Sequence, residues 1–299
     1  MPCDGICGTI TALATPFDKS GAVDYGKLRA LVDAQAEGGV EGICSVGTSG
    51  ESPTLSHEEH REVLEKTIEY AAGRMKIVAG TGANSTAEAV SLTKAAISMG
   101  GADATLQVTP YYNKPNPEGL YRHFTTVADL GLPVVLYNVP GRSGREIPLD
   151  VVARLAAHPN VIAIKEAAGS VERVSAVRAA APSLTVLSGD DSLALAMAAV
   201  GAKGVISVAS NIIPREMGDM MRLAMAGDFK SALAIHDKYY PLFRDLFIDT
   251  NPIMVKEALA MTGAIELSLR LPLCETTPEK REKLRKTLET LGLAAPGAR

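Results

Sequence analysis

Eight short runs of apolar and β-branched residues recur along the chain at near-constant spacing, with helix-like stretches between them. The runs centre on Ile10, Ile43, Val78, Leu106, Leu136, Ile164, Val186 and Ile206, and the seven steps from first to last average 28 residues. That is close to the roughly 30 residues of a strand with its crossover helix. Near-continuous apolar strands alternating with helices imply a parallel sheet covered on its outer face. An open doubly wound sheet is the rival arrangement, but eight units in series favour closure, because a barrel leaves no edge strand exposed. The expected fold is therefore α/β, a (β/α)8 barrel over residues 1–226. Beyond Ala226 the segments FKSALAIHDKYYPLFRDLF, PIMVKEALAMTG and PEKREKLRKTLETLG read as helices, so residues 227–299 are expected to form a C-terminal helical appendage. Ser56, Ser85 and Asp191 precede helical stretches as expected N-caps, with glycine closing the last two.

Composition narrows the partners. The 299 residues are 46% hydrophobic and 21% charged with a net charge of −4, which suits a globular core and argues against a nucleic-acid partner. No apolar run approaches the roughly 20 residues that span a bilayer, so no membrane association is expected. The opening MPCDGICGTI lacks the basic-then-apolar pattern of a secretory signal, and a cytoplasmic location is the expectation. Cys3, Cys7, Cys44 and Cys274 form no regular framework and are expected to be unpaired structural thiols. His57-Glu58-Glu59-His60 places its histidines three apart, where a zinc helix needs four, so it reads as a solvated helix start. No metal and no cofactor are expected.

In a barrel of this kind chemistry sits where apolar strands end. Lys165 closes the run Val161-Ile162-Ala163-Ile164-Lys165, and strand alternation puts Val161, Ala163 and Lys165 on one face. An ordinary lysine is almost wholly protonated at neutral pH, and burial shifts the balance towards the neutral, nucleophilic amine. An ion pair with adjacent Glu166 is the bland alternative, yet neighbouring strand residues point to opposite faces. Gly47-Thr48-Ser49-Gly50-Glu51 follows the second run with amides, hydroxyls and small side chains, suited to a carboxylate or phosphate; an ordinary turn is the alternative. It has no Gly-Lys-Ser/Thr ending, and Gly80-Thr81-Gly82-Ala83-Asn84-Ser85 lacks the third glycine of a dinucleotide loop and reads better as a helix cap. Tyr111, Tyr112 and Tyr137 end strands and can relay protons, although core packing with a satisfied hydroxyl is the usual state of a tyrosine. Arg142, in a Gly-Arg-Ser-Gly loop, offers a fork of donors for a substrate carboxylate or is simply solvated.

Gly47-Thr48-Ser49-Gly50-Glu51-Ser52, Val108-Thr109-Pro110-Tyr111-Tyr112-Asn113, Leu136-Tyr137-Asn138-Val139-Pro140-Gly141-Arg142, Ile164-Lys165-Glu166-Ala167 and Leu187-Ser188-Gly189-Asp190-Asp191 stand in an order and spacing that resembles the dihydrodipicolinate (4-hydroxy-tetrahydrodipicolinate) synthase family, from about Gly8 to Pro272. That family belongs with the pyruvate-dependent class I aldolases and N-acetylneuraminate lyases. The resemblance implies condensation of pyruvate with L-aspartate semialdehyde in lysine and diaminopimelate biosynthesis. It implies Lys165 as the Schiff-base residue and Tyr137, Thr48 and Tyr112 as a proton relay, with Tyr112 acting from a neighbouring subunit. Thr48 and Ser49 would bind the pyruvate carboxylate, Gly189 and Ile206 would shape the pocket, and Arg142 would hold the semialdehyde carboxylate. A homotetramer of tight dimers is implied, as is inhibition by L-lysine at Ser52, His57, His60, Asn84, Glu88 and Tyr111. Ser49 departs from the usual threonine but keeps the hydroxyl, whereas Pro53 departs from the common alanine beside the regulatory positions. The sister keto-sugar-acid lyases share the fold and the lysine but generally lack the arginine arrangement, and a non-catalytic metabolite-binding barrel is the remaining alternative.

Overall fold

The computed structural model describes residues 5–294. Along the chain β1 (Gly8–Ala12) leads to α1 (Tyr25–Gly38), β2 (Gly42–Ser45) to α2 (His57–Ala71), β3 (Lys76–Gly80) to α3 (Thr86–Met99) and β4 (Ala104–Val108) to α4 (Pro117–Ala128). β5 (Val134–Asn138) is followed by the one-turn helix α5 (Pro140–Ser143) and by α6 (Leu149–Ala156), and β6 (Val161–Glu166) by α7 (Val171–Ala180). β7 (Thr185–Ser188) precedes α8 (Ala194–Ala199), and β8 (Gly204–Ser207) precedes α9 (Pro214–Met225). Three further helices follow, α10 (Phe229–Asp245), α11 (Ile253–Met261) and α12 (Pro278–Thr290).

The strands pair in sequence order, all parallel, and β8 returns to β1, which closes the expected (β/α)8 barrel. At the seam Gly8 opposes Gly204, and a Cβ on Gly204 would lie 2.2 Å from the Gly8 carbonyl oxygen. Only a residue without a side chain lets the two backbones meet there. Ile10, Val78, Leu106, Val135, Leu187 and Ile206 fill the barrel interior, while Ile43, Ile77, Leu136, Ile164 and Val186 turn outward against the helices. Burial on both faces is why these strands read as almost unbroken apolar runs.

The alternation expected for β6 holds at Ala163 and Lys165 but not at Val161. Val134 pairs with Val161 and Val135 with Ala163, so the register shifts and one extra residue is accommodated. Upstream of such a bulge the parity of a strand reverses. Val161 joins the outer layer, and Ile162 packs towards the interior beside Ala163.

Two expected caps also differ. Ser56 forms a full capping box with Glu59, but Ser85 occupies its N-cap position without a side-chain bond. Asp191 caps no helix; its Oδ2 accepts from the amides of Val208 (3.1 Å) and Ala209 (2.8 Å). Buried amides at the exit of β8 need an acceptor, and that need outweighs local capping. Cys7 is disulfide-bonded, contrary to the expectation of unpaired thiols, whereas Cys44 and Cys274 are free; Cys3 lies outside the described residues. Spacing along a chain does not reveal the Cα separation on which a bridge depends.

Leu242, Phe243, Met254, Val255, Leu259 and Leu284 share one apolar cluster with outward residues of β2 and β3. The C-terminal helices therefore pack onto the barrel, and the link between α10 and α11 reaches its C-terminal mouth. No described helix is long and apolar enough to cross a membrane, and no group of three or more described His, Cys, Asp or Glu side chains is arranged to hold a metal.

Candidate active site

Lys165, the penultimate residue of β6, lies on the inner face of the barrel and is only 6% exposed. Its Nζ lies 4.3 Å from the centroid of the Tyr137 ring, and among the described residues it makes no ion pair or hydrogen bond. Tyr137 stands opposite it on β5, fixed through its backbone: the Thr109 amide (3.0 Å) and hydroxyl (2.8 Å) both donate to the Tyr137 carbonyl. Glu166 points away, as alternation predicts. Both its carboxylate oxygens accept from Asn138 Nδ2 (2.8 and 3.0 Å), and Arg173 lies 3.5 Å off. Burial raises the Glu166 pKa, and the Asn138 bonds and Arg173 charge oppose that rise. The amine of Lys165 thus faces the cavity with no described carboxylate hydrogen-bonded to it, although Asp190 on the same wall feels its charge.

The cavity has a volume of about 210 Å³ and combines Thr48, Ser49, Tyr137, Arg142, Lys165 and Gly189 with Asp190, Val208, Phe247 and Asn251. Gly189 has a steric reason to be glycine, since an added Cβ would stand 3.1 Å from Lys165 Cε and 2.5 Å from Ala167 Cβ. Ser49 is buried and accepts from Asn251 Nδ2 at 3.0 Å. Arg142 Nη2 donates to the Asn251 carbonyl at 2.9 Å. Asn251 therefore bridges the hydroxyl loop and the guanidinium, leaving the remaining donors of Arg142 for a ligand. Asp190 is raised by burial and drawn back down by the charge of Lys165, and its Oδ2 has no hydrogen-bond partner. Burial pushes the Cys44 thiol up to about 11, so this second nucleophile on the lining stays protonated at neutral pH.

The loop carrying Thr48 and Ser49 is strained at both ends. Val46 has φ 51 and Glu51 has φ 52, the left-handed region that costs non-glycine residues about 1–2 kcal/mol each. Close approach from β3 contributes, because a Cβ on Gly80 would lie 2.6 Å from the Val46 carbonyl oxygen.

A neighbouring cavity of about 250 Å³ shares Gly47, Thr48, Leu106, Tyr137 and Arg142 with the first and extends to Ser52, Pro53 and Tyr111. Beyond it His57 Nε2 donates to Glu88 at 2.8 Å, and Asn84 is tied through its carbonyl to the Asn113 side chain at 2.8 Å. His60 is not part of a solvated helix start. It is buried with a ring nitrogen donating to the Gly80 carbonyl (2.9 Å), and burial lowers its pKa.

Two expected site residues stand apart from the cavity within one chain. Tyr112 is 91% exposed at φ 71 and lines neither cavity. Ile206 belongs to the interior core, with Val208, two residues on, taking the place on the lining. Phe247, Asn251 and Asp190 were not anticipated. Asp190 follows a strand end and was open to detection by that rule; Phe247 and Asn251 lie in a region read only as helices.

The chain matches the Dihydrodipicolinate synthetase family over residues 6–291. It is 49% identical over 290 residues to the 4-hydroxy-tetrahydrodipicolinate synthase of Persephonella marina, covering 96% of this chain and 98% of that protein. Among solved structures it superimposes on the dihydrodipicolinate synthase of Aquifex aeolicus at TM-score 0.95 and 47% identity, covering 98% and 100% of the two chains. The chloride-inhibited dihydrodipicolinate synthase of Acinetobacter baumannii, solved with pyruvate, gives TM-score 0.94 at 46% identity, covering 96% and 99%.

Proposed function

The chain belongs to the dihydrodipicolinate synthetase family, and from that premise we propose that Lys165 carries pyruvate as a Schiff base through the reaction. The reaction is the condensation of pyruvate with L-aspartate semialdehyde to 4-hydroxy-tetrahydrodipicolinate, a lyase-class step of lysine and diaminopimelate biosynthesis. The observation that carries the assignment is a buried lysine that makes no ion pair or hydrogen bond among the described residues, in a cavity that also presents a hydroxyl loop and an arginine.

Lys165 Nζ adds to C2 of pyruvate and the former ketone oxygen leaves as water. The resulting iminium withdraws electrons from the adjacent methyl, which loses a proton to the relay of Tyr137 and Thr48 and becomes an enamine. That carbon attacks the aldehyde of aspartate semialdehyde, whose oxygen takes a proton and stays as the hydroxyl. The amine of the new chain then displaces Lys165 from C2, closing the ring and freeing the enzyme. Thr48 and Ser49 receive the pyruvate carboxylate, Gly189 admits the substrate beside Lys165, Ile206 keeps the interior below it apolar, and Arg142 takes the semialdehyde carboxylate. We assign the C-terminal region 227–299, of which 295–299 lie outside the described residues, to the service of this barrel, since the link between α10 and α11 places Phe247 and Asn251 on the cavity wall.

A keto-sugar-acid lyase is the second reading of such a barrel. Arg142, already oriented by Asn251, favours the synthase. A substrate panel tests this: turnover of pyruvate with aspartate semialdehyde is expected, and cleavage of N-acetylneuraminate or keto-deoxy sugar acids in its place would overturn the reading. A binding-only barrel would turn over none of them.

We further propose a homotetramer built from dimers in which Tyr112 completes the relay of the neighbouring subunit. An aromatic ring 91% exposed on left-handed backbone gains most from burial by a partner. Mixing the inactive variants Tyr112→Phe and Lys165→Ala after reversible dissociation is expected to restore activity, since a mixed dimer regains one site with both groups. No recovery despite proven heterodimers would defeat the arrangement.

The cleft near Ser52, His57, His60, Asn84, Glu88 and Tyr111 is proposed as a site for inhibitory L-lysine. DHDPS from Cyanidioschyzon merolae, 40% identical at TM-score 0.92 over 96% of this chain and 98% of that one, was solved with lysine bound. Glu88, which raises the Tyr111 pKa together with burial, offers the carboxylate for the ammonium. Calorimetry is expected to show lysine binding that Glu88→Ala abolishes; an absence of heat at millimolar lysine in the unsubstituted protein would rule the site out, with Pro53 the first residue to suspect.

A further inference from the structure

Behind the hydroxyl loop lies a pair of charges that the proposed reaction does not use. Lys256, on α11, and Glu51, at the end of the loop, are both fully buried, and Lys256 Nζ donates to Glu51 Oε1 at 2.5 Å. The other carboxylate oxygen accepts from the Arg270 amide at 3.1 Å, and Lys256 Nζ lies 4.0 Å from the Phe17 ring centroid. Arg270 in turn binds Glu59 at 2.6 Å. Neither Lys256 nor Glu51 lines the cavity.

A buried ion pair is a weak device for stability, because desolvating two charges offsets most of their attraction and apolar replacements often serve as well. What it supplies is direction. α11 is anchored by Met254, Val255, Ala258 and Leu259, all buried in the core, so the position of Lys256 Nζ is set by packing. The ammonium meets the carboxylate, and Glu51 itself sits in the left-handed region at φ 52. Glu51 in turn is bonded through its amide to the Thr48 carbonyl at 3.2 Å, and Ser49 lies two residues before it.

We propose that Lys256 is a positioning residue for pyruvate: acting through Glu51, it holds the Gly47–Glu51 loop so that Thr48 and Ser49 face Lys165. The proposal rests on the reading that this loop receives the pyruvate carboxylate. It makes the C-terminal helices part of the substrate-binding device, at a second point besides Asn251.

The test reads the pyruvate concentration that gives half-maximal borohydride-trapped adduct at Lys165. Partial unfolding would itself raise that concentration by the reciprocal of the folded fraction, so it is read only on variants that circular dichroism and urea titration show to be fully folded without pyruvate. Lys256→Met and the double variant Glu51→Gln/Lys256→Met, which leaves no lone buried charge, are compared with the unsubstituted protein. Both are expected to raise the half-saturating pyruvate at least about tenfold, as displacement of binding groups by a fraction of an ångström does, with a smaller change in KM for the semialdehyde. If neither can be obtained folded, Glu51→Gln, which keeps the shape and an acceptor for the Arg270 amide, is read in the same way and the same rise is expected. Unchanged half-saturation in the double variant would overturn the proposal, showing that the pair serves folding alone. An absence of any Lys165 adduct in the unsubstituted protein would instead strike the Schiff-base reading beneath it.

Discussion

Lys165→Ala is expected to lower turnover by at least roughly 10⁴-fold, since it removes the atom proposed to bond to pyruvate and no neighbouring nucleophile can replace it. Cys44, also on the cavity wall, is held as a thiol by burial. Borohydride reduction in the presence of pyruvate should add a reduced adduct at Lys165 in the unsubstituted protein and none in the variant. The fold should survive, because the amine makes no hydrogen bond or ion pair among the described residues; the cost falls on Asp190, whose pKa burial would then raise without the opposing charge of Lys165. An adduct found at another lysine, or a variant with near-normal turnover, would refute the assignment.

Arg142→Ala is expected to raise KM for aspartate semialdehyde by roughly 10- to 100-fold, the loss of one charge-assisted contact to a carboxylate. Trapping of pyruvate should change far less, because Arg142 lies on α5 after β5, whereas the pyruvate carboxylate is assigned to the loop after β2. Steady-state kinetics and adduct trapping measured on one preparation should therefore separate. Equal loss in both would mean that Arg142, through its bond to the Asn251 carbonyl, holds Asn251 and Ser49 in place and supports the entire site.

The eightfold recurrence of apolar runs determined the barrel without help from long-range contacts, because two-sided burial writes itself into each strand separately. The inward face of Lys165 and the divergence of Glu166 followed from the same local rule. That rule failed at Val161, where one extra residue against β5 reversed the parity, and a bulge is a property of two strands together. It was silent on Asn251, which meets Ser49 across 202 residues, and on Lys256, which meets Glu51 across 205. Asp191 looked like a helix cap until the amides of Val208 and Ala209 claimed it, and His60 looked solvated until the Gly80 carbonyl did. Periodicity along a chain reports which way a side chain points relative to its neighbours in sequence. Which distant atom it then meets is decided by packing, where buried donors, acceptors and charges must all find partners at once. The sequence by itself thus determined the scaffold and the inward-facing lysine, and the tertiary structure alone decided which distant residues meet the Gly47–Glu51 loop and the arginine around it.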